Sequence, residues 1–349
     1  MAFGIKKYDF VDETPLYKLE RLSADLGVNF YIKRDDLTSL GAGGNKLRKL
    51  EYLMKDAVDK GSTMILTVGG AQTNHGRLTA AVAAKLGLKC AILAIDDYPG
   101  ELSANMLLDR IMGCELILCH DDGTDEDEQI DKAKDKIIKT LENKGENVYY
   151  IPVGGSNVLG ALGYFDAAIE IDRQAKELGI QNATVYDSVG SIGTYMGLYC
   201  GLQYADSPLK LTGVAISPFG SSKEKRIVEY FNEVKESYNL KFTAKREDFH
   251  IETGYTRGGY NNPSKEVRDA IYYMARTEGI LLDPCYTGKG FAGILDMMKD
   301  GKISKGETII FIHTGGFPGL YTPHHRVEFE KELIDEVYTF DSIEDLKNI

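Results

Sequence analysis

Cysteine is scarce in this chain, and what there is forms no pattern. Cys90, Cys114, Cys119, Cys200 and Cys285 are odd in number and lack C-x-x-C spacing, which argues against a disulfide framework or a zinc site. Long apolar runs are missing too. No segment is long enough to span a bilayer, and the opening MAFGIKKYDF lacks the apolar stretch of a secretory signal. The expected location is the cytoplasm, with no membrane partner. Positive charge is in deficit: 41 Lys+Arg against 53 Asp+Glu give a formal net charge of −12. Such a surface repels the phosphates of nucleic acid. Internal repeats, low-complexity tracts and Pro/Ser-rich linkers are absent as well, so any division into lobes must come from the fold.

What is present is alternation. Met64 to Val68, Cys90 to Ile95, Glu115 to Cys119, Val148 to Val153 and Thr184 to Ser188 are short runs rich in β-branched residues, and Leu211 to Ile216 and Thr308 to His313 repeat the theme. Segments of helical period separate them, which predicts α/β architecture with parallel sheets covered by helices on both faces. The acidic run Asp121 to Glu128 reads as a solvated entry to a helix from Ile130 to Lys144, its charges complementing the helix dipole. In open α/β sheets ligands sit beyond the carboxyl ends of strands, so the informative loops are those that follow strands.

Three such loops stand out: Gly69 to His75, Val189 to Thr194, and His313 to Gly316. Ser188-Val189-Gly190-Ser191-Ile192-Gly193-Thr194 opens a helix predicted to end near Gly201. Its small residues let backbone N–H groups approach a phosphate, and it matches neither G-x-G-x-x-G nor the Walker pattern. A tight strand-to-helix turn is the alternative. In Gln72-Thr73-Asn74-His75, Asn74 is a neutral donor suited to a phenolate oxygen, although capping of the next helix accounts for one of these residues. Gly288-Lys289 lacks the rest of a phosphate loop.

A fourth segment carries the reactive group. Gly43-Gly44-Asn45-Lys46 runs into a helix whose apolar face is read from Leu50, Leu53, Met54, Ala57 and Val58. A lysine in the first turn faces the positive end of the helix dipole, which lowers its pKa and favours a neutral, nucleophilic amine. Such an amine suits a Schiff base with pyridoxal phosphate. A surface lysine after a flexible loop is the plainer alternative.

Together these segments resemble the pyridoxal-phosphate enzymes comprising D-cysteine desulfhydrase and 1-aminocyclopropane-1-carboxylate deaminase, which share the fold of the tryptophan synthase β subunit. The resemblance runs from Thr14-Pro15-Leu16 through Ile32-Lys33-Arg34-Asp35-Asp36-Leu37, Gly43 to Glu51 and Pro152-Val153-Gly154-Gly155-Ser156 to His313-Thr314-Gly315-Gly316. It implies a fold-type II enzyme of two open α/β lobes with the cofactor in the cleft. Residues 1–48 and 163–349 would form the larger, cofactor-binding lobe and residues 49–162 the smaller one.

The resemblance also implies roles. Lys46 would hold the cofactor aldehyde, Asn74 would face its ring hydroxyl, and Thr314 would sit near the pyridine nitrogen. Gly190, Ser191, Ile192, Gly193 and Thr194 would cradle its phosphate. Thr73 and Asn74, with His75 in the same loop, would bind the substrate carboxylate, and Tyr260 and Tyr286 would line the substrate pocket. Lys46, Tyr286 and Thr73 are the expected catalytic residues, with no metal and a homodimeric assembly.

Within the family, the deaminase typically carries a glutamate directly after the tyrosine corresponding to Tyr286. Thr287 stands there, as in the desulfhydrase branch. The expected reaction is α,β-elimination of D-cysteine to pyruvate, hydrogen sulfide and ammonia. The alternatives are another β-substituted amino acid (L-cysteine, L-cysteate), 1-aminocyclopropane-1-carboxylate, or a non-catalytic amino-acid or cofactor-binding protein, which would need no reactive lysine. Two departures bear on substrate: Thr73 replaces the usual serine, its methyl narrowing the pocket, and Phe317 is bulkier than its counterparts.

Overall fold

A computed structural model describes residues 2–339. Met1 and residues 340–349, assigned above to the larger lobe, lie outside the described residues. The chain begins β1 (Leu16–Lys18), α1 (Glu20–Leu26), β2 (Asn29–Arg34), α2 (Lys46–Asp59), β3 (Met64–Val68), α3 (Asn74–Leu86) and β4 (Lys89–Ile95). It continues α4 (Ala104–Ile111), β5 (Glu115–Cys119), α5 (Glu126–Glu142), β6 (Val148–Ile151), α6 (Val158–Glu177), β7 (Thr184–Val189) and α7 (Gly193–Tyr204). The remainder is β8 (Lys210–Ala215), α8 (Ser221–Tyr238), β9 (Ile251–Glu252), α9 (Lys265–Glu278), α10 (Thr287–Lys299), β10 (Thr308–His313) and α11 (Pro323–Leu333).

Two sheets result, ordered β1-β2-β10-β7-β8-β9 and β5-β4-β3-β6. Every pairing is parallel except β1 with β2. The central β10 is flanked on both sides, with Ile310 opposite Tyr31 of β2 and Val185 of β7. Strands buried on both faces read as unbroken apolar runs, as in β3, where all five residues are buried. The smaller sheet spans residues 64–151 of the chain, and α2 and α6 run unbroken through positions 48/49 and 162/163.

Several strand and helix ends shift by one or two residues from the sequence reading, and three differences are larger or bear on packing. Only the end of the acidic run belongs to α5, which starts at Glu126, four residues before Ile130, with the Asp125 side chain accepting the Glu128 N–H at 3.1 Å. A carboxylate that caps a helix is worth more than one merely near it. Gly201 lies inside α7, which continues to Tyr204. Val58 is 37% exposed, whereas Leu50, Leu53, Met54 and Ala57 are buried, so the apolar stripe of α2 is narrower than its spacing implied.

The turn into α2 has little freedom. A side chain at Gly43 (φ +69°) would meet the Asp36 carbonyl oxygen at 2.0 Å, so only glycine fits there. Below it, Arg48 binds both oxygens of Asp35 at 2.9 Å and both of Glu170 at 2.9 and 3.0 Å. Lys33 pairs with Glu170 and donates to the Thr14 carbonyl at 2.7 Å. Burial alone would raise the Asp35 pKa, but the Arg48 guanidinium outweighs it and holds the carboxyl at about 2.

Candidate active site

The carboxyl ends of β3, β6, β7, β8 and β10 open onto one cavity of about 460 Å³, closed at one side by the first residue of α2. Lys46, Thr73, Asn74 and His75 line it, together with Gly190, Ser191, Tyr260, Tyr286 and Thr314. Ile192 and Thr194 line a small recess that also touches Lys46, Gly190, Ser191 and Tyr286. Gly193 stands just behind: a Cβ there would lie 2.3 Å from Ser156 Oγ and 2.8 Å from Lys49 Nζ. Residues from five loops and one helix start therefore converge. Phe317 does not join them. It lines a separate cavity with Leu37 and Leu281, its ring beside Tyr321, because the turn after Gly316 leads it away.

Lys46 Nζ donates to Asn45 Oδ1 at 3.1 Å and sits 6.0 Å from the centre of the Tyr286 ring. Burial lowers its pKa to about 8 against the opposing pull of Asp187 and Asp283. The direction matches the sequence expectation; the cause is desolvation. Asn45 Nδ2 donates to Thr194 Oγ1 at 3.0 Å, and Asn45 N–H to the Thr314 carbonyl at 3.0 Å. The lysine is thus fixed between the loops after β7 and β10.

At the start of α7, Ile192 adopts φ +66° while buried. A β-branched residue in the left-handed region is strained, and strain of this kind persists where the surroundings enforce it. Ser156 and Ser191 are joined through their hydroxyls at 2.8 Å. Lys49, one turn along α2 from Lys46, is fully buried and, among the described residues, donates only to the Gly154 carbonyl at 3.1 Å. Burial and the neighbouring Lys46 charge push its pKa well down. Asp187, also buried, has no hydrogen-bond partner for either carboxylate oxygen among the described residues. Burial raises it to about 7, against the lysines nearby.

The loop after β3 divides its duties. Thr73 Oγ1 caps α3, accepting the Gly76 N–H at 3.3 Å, and a Cβ on Gly76 would lie 2.4 Å from the Thr73 methyl. The methyl therefore lies close against Gly76 of α3. His75 Nε2 meets Thr67 Oγ1 at 2.9 Å, and that hydroxyl donates to the Ile151 carbonyl at 2.9 Å. The hydroxyl proton is thus committed, so His75 carries its proton on Nε2 and leaves Nδ1 bare. Burial and the Lys46 and Lys49 charges hold the ring neutral.

Tyr260 and Tyr286 meet edge to face at 5.8 Å, and burial raises the Tyr286 hydroxyl above its ordinary range. Lys289, buried in α10, donates to the carbonyls of Ile216 (3.3 Å), Thr256 (3.2 Å) and Gly259. It ties down the segment that carries Tyr260. Thr287 is buried too. Its hydroxyl donates to Asp283 Oδ1 at 2.7 Å and accepts the Asp283 N–H at 2.8 Å.

Lys49 and Asp187 escaped the sequence reading as site residues. Lys46 and Lys49 are three residues apart on a helix, hence on one face, and that spacing was the available signal. A buried lysine with one carbonyl partner, beside a glycine-rich helix start, suits a phosphate. A second lysine of lowered pKa suits an aldehyde. The residues fit a ligand bearing both groups.

The pattern of the family described as pyridoxal-phosphate dependent enzyme matches residues 8–315. A D-cysteine desulfhydrase of Salmonella choleraesuis is 40% identical over 322 residues, covering 90% of this chain and 94% of that protein. A Pyrococcus abyssi protein named "Putative 1-aminocyclopropane-1-carboxylate deaminase" is 38% identical over 324 residues, covering 92% and 94%. A crystal structure of an ACC deaminase homologue superposes with a TM-score of 0.85 at 36% identity, covering 95% of this chain and 97% of that one. This chain belongs to the family of pyridoxal-phosphate dependent enzymes, in the group that holds the D-cysteine desulfhydrases and 1-aminocyclopropane-1-carboxylate deaminases.

Proposed function

We propose that this enzyme performs α,β-elimination on D-cysteine, releasing hydrogen sulfide, pyruvate and ammonia. The observation that carries this reading is the withdrawal of Thr287 into its bonds with Asp283. Where the deaminases of the resemblance carry a glutamate, this chain offers the cavity no acid or base.

Lys46 would hold the cofactor aldehyde, with Asn74 at the ring hydroxyl and Thr314 near the pyridine nitrogen. Gly190 to Thr194, joined by Lys49, would hold the phosphate. A threonine hydroxyl at the nitrogen leaves ring protonation unforced. When bound, the cofactor supplies a conjugated ring that delocalises the electron pair left at Cα. Lys46 would remove the Cα proton of the bound substrate. Thr73 and Asn74 position the substrate carboxylate, while neutral His75, its one proton turned to Thr67, shapes the loop that carries them. Tyr260 and Tyr286 wall the side chain, and the Tyr286 hydroxyl, kept protonated by burial, donates to the departing sulfur. Aminoacrylate leaves and hydrolyses to pyruvate and ammonia. In this reading the cofactor lies between a larger lobe (1–48 and 163–349) and a smaller lobe (49–162) of a cytoplasmic homodimer.

A second reading, opening of 1-aminocyclopropane-1-carboxylate, is favoured by the name of the Pyrococcus abyssi relative. A panel on cofactor-loaded protein separates the two, with sulfide and 2-oxo acid assayed together. Sulfide and pyruvate from D-cysteine, lost in Lys46→Ala, are expected. Formation of 2-oxobutyrate from the cyclopropane substrate, with no turnover of D-cysteine, would overturn the reading. Turnover of another β-substituted amino acid alone would overturn the substrate and retain the elimination.

A further inference from the structure

Asn105 stands in the first turn of α4, is 1% exposed, and does not line the cavity. It is nevertheless wired to the loop that does. Asn105 Nδ2 donates to the Gln72 carbonyl oxygen at 2.7 Å and to Asn74 Oδ1 at 3.0 Å. Its backbone N–H donates to Gln72 Oε1 at 3.0 Å, and Gln72 Nε2 donates to the Ser103 carbonyl at 3.2 Å.

This circuit has one consistent polarity. A main-chain carbonyl can only accept, so Asn105 must present its NH2 to Gln72. The reverse setting would press two oxygens together at 2.7 Å. The same NH2 faces Asn74, so the Asn74 carbonyl must point at Asn105 and the Asn74 NH2 must point elsewhere. That NH2 lies toward Gly316, where a Cβ would come within 2.8 Å of it. Asn105 keeps this setting although its own Oδ1 is buried without a partner, a cost of the kind that buried polar groups seldom carry without reason.

We propose that Asn105 is a positioning residue that fixes the Asn74 amide with its NH2, and not its carbonyl, toward the ring hydroxyl of pyridoxal phosphate. The inference rests on the reading that Asn74 sits against that hydroxyl. A donor there stabilises the ring oxygen as an anion, whereas a carbonyl would repel it. The resting charge of the cofactor is then set by a residue that touches neither cofactor nor substrate.

The bound cofactor's visible absorption, titrated with pH, reads this directly. In Asn105→Asp the carboxylate accepts from the Asn74 NH2 and turns the Asn74 carbonyl toward the ring oxygen. The pH midpoint of the colour change should rise by about 1, corresponding to about a tenfold change in the equilibrium. Asn105→Ala, which frees the amide to rotate, should give a smaller rise in the same direction and serves if the aspartate variant does not fold. Asn74→Ala should also raise the midpoint. Met106→Ala, in the same helix and equally buried, should lower the melting temperature and leave the midpoint unchanged. A midpoint moved by Asn74→Ala but by neither Asn105 variant would overturn the positioning role while keeping Asn74 at the ring. A midpoint moved by none of them would overturn the placement of Asn74, and the inference with it.

Discussion

Arg48 and Lys49 are consecutive on α2, both are buried, and the protein treats their charges in opposite ways. Arg48 has two carboxylates and four short bonds to them. Among the described residues Lys49 has one carbonyl, and neither carboxylate oxygen of the nearby Asp187 has a hydrogen-bond partner. A buried charge left short of partners is expensive. A fold that satisfies one such group fully and its neighbour hardly at all is keeping the second for something it binds. On one side of α2 the ions are architecture. On the other they wait for a ligand.

The largest effect expected from this contrast lies at Arg48. Arg48→Met takes the guanidinium from buried Asp35, leaves Glu170 paired with Lys33, and should cost about 3–5 kcal/mol of stability by urea denaturation. A loss below about 1 kcal/mol would remove the distinction between the two sides, since that is the ordinary scale of an exposed pair. Lys49→Met should behave in the reverse sense. Stability should hold or improve, because an amine that desolvation already disfavours is removed. Affinity for pyridoxal phosphate, measured by fluorescence titration, should fall about tenfold to a hundredfold. Unchanged affinity together with lost stability would make Lys49 a structural residue like Arg48. The smallest effect is in pH. Capture of the cofactor aldehyde needs the neutral amine, and burial puts Lys46 at about 8. The rate of capture by the apoenzyme should therefore climb as pH rises through about 8 and level off above it, measured by stopped-flow absorbance. A rate flat across roughly pH 7 to 9 would mean that desolvation has not shifted this group.

The same contrast explains what the sequence could and could not disclose. β3, β5 and β10 match the runs at Met64 to Val68, Glu115 to Cys119 and Thr308 to His313 end for end, because strands covered on both faces write their burial as uninterrupted β-branched residues. β2 carries Lys33 and Arg34 at its end, and β9 is two residues long, so neither shows that pattern, and the antiparallel β1 has only three residues in which to alternate. Gathering of Lys46, the residues after β3 and the turn of Gly190 around one cavity follows from strands whose carboxyl ends face one way. Arg48 and Asp187 gave no local sign, and Lys49 only its spacing from Lys46. Lys-Leu-Arg-Lys-Leu reads as a solvated helix face, and only the packing of α6 against α2 turns those charges inward. Asn105 was harder still, since its role depends on the direction of two amides across 31 residues of chain.

The most direct test is to load the protein with pyridoxal phosphate, reduce it with borohydride and locate the pyridoxyl group by peptide mass spectrometry. The account predicts a single modified position, Lys46, with Lys49 unmodified because it faces the phosphate. Modification at Lys49 or at any other lysine, or no reducible adduct at all, would contradict it.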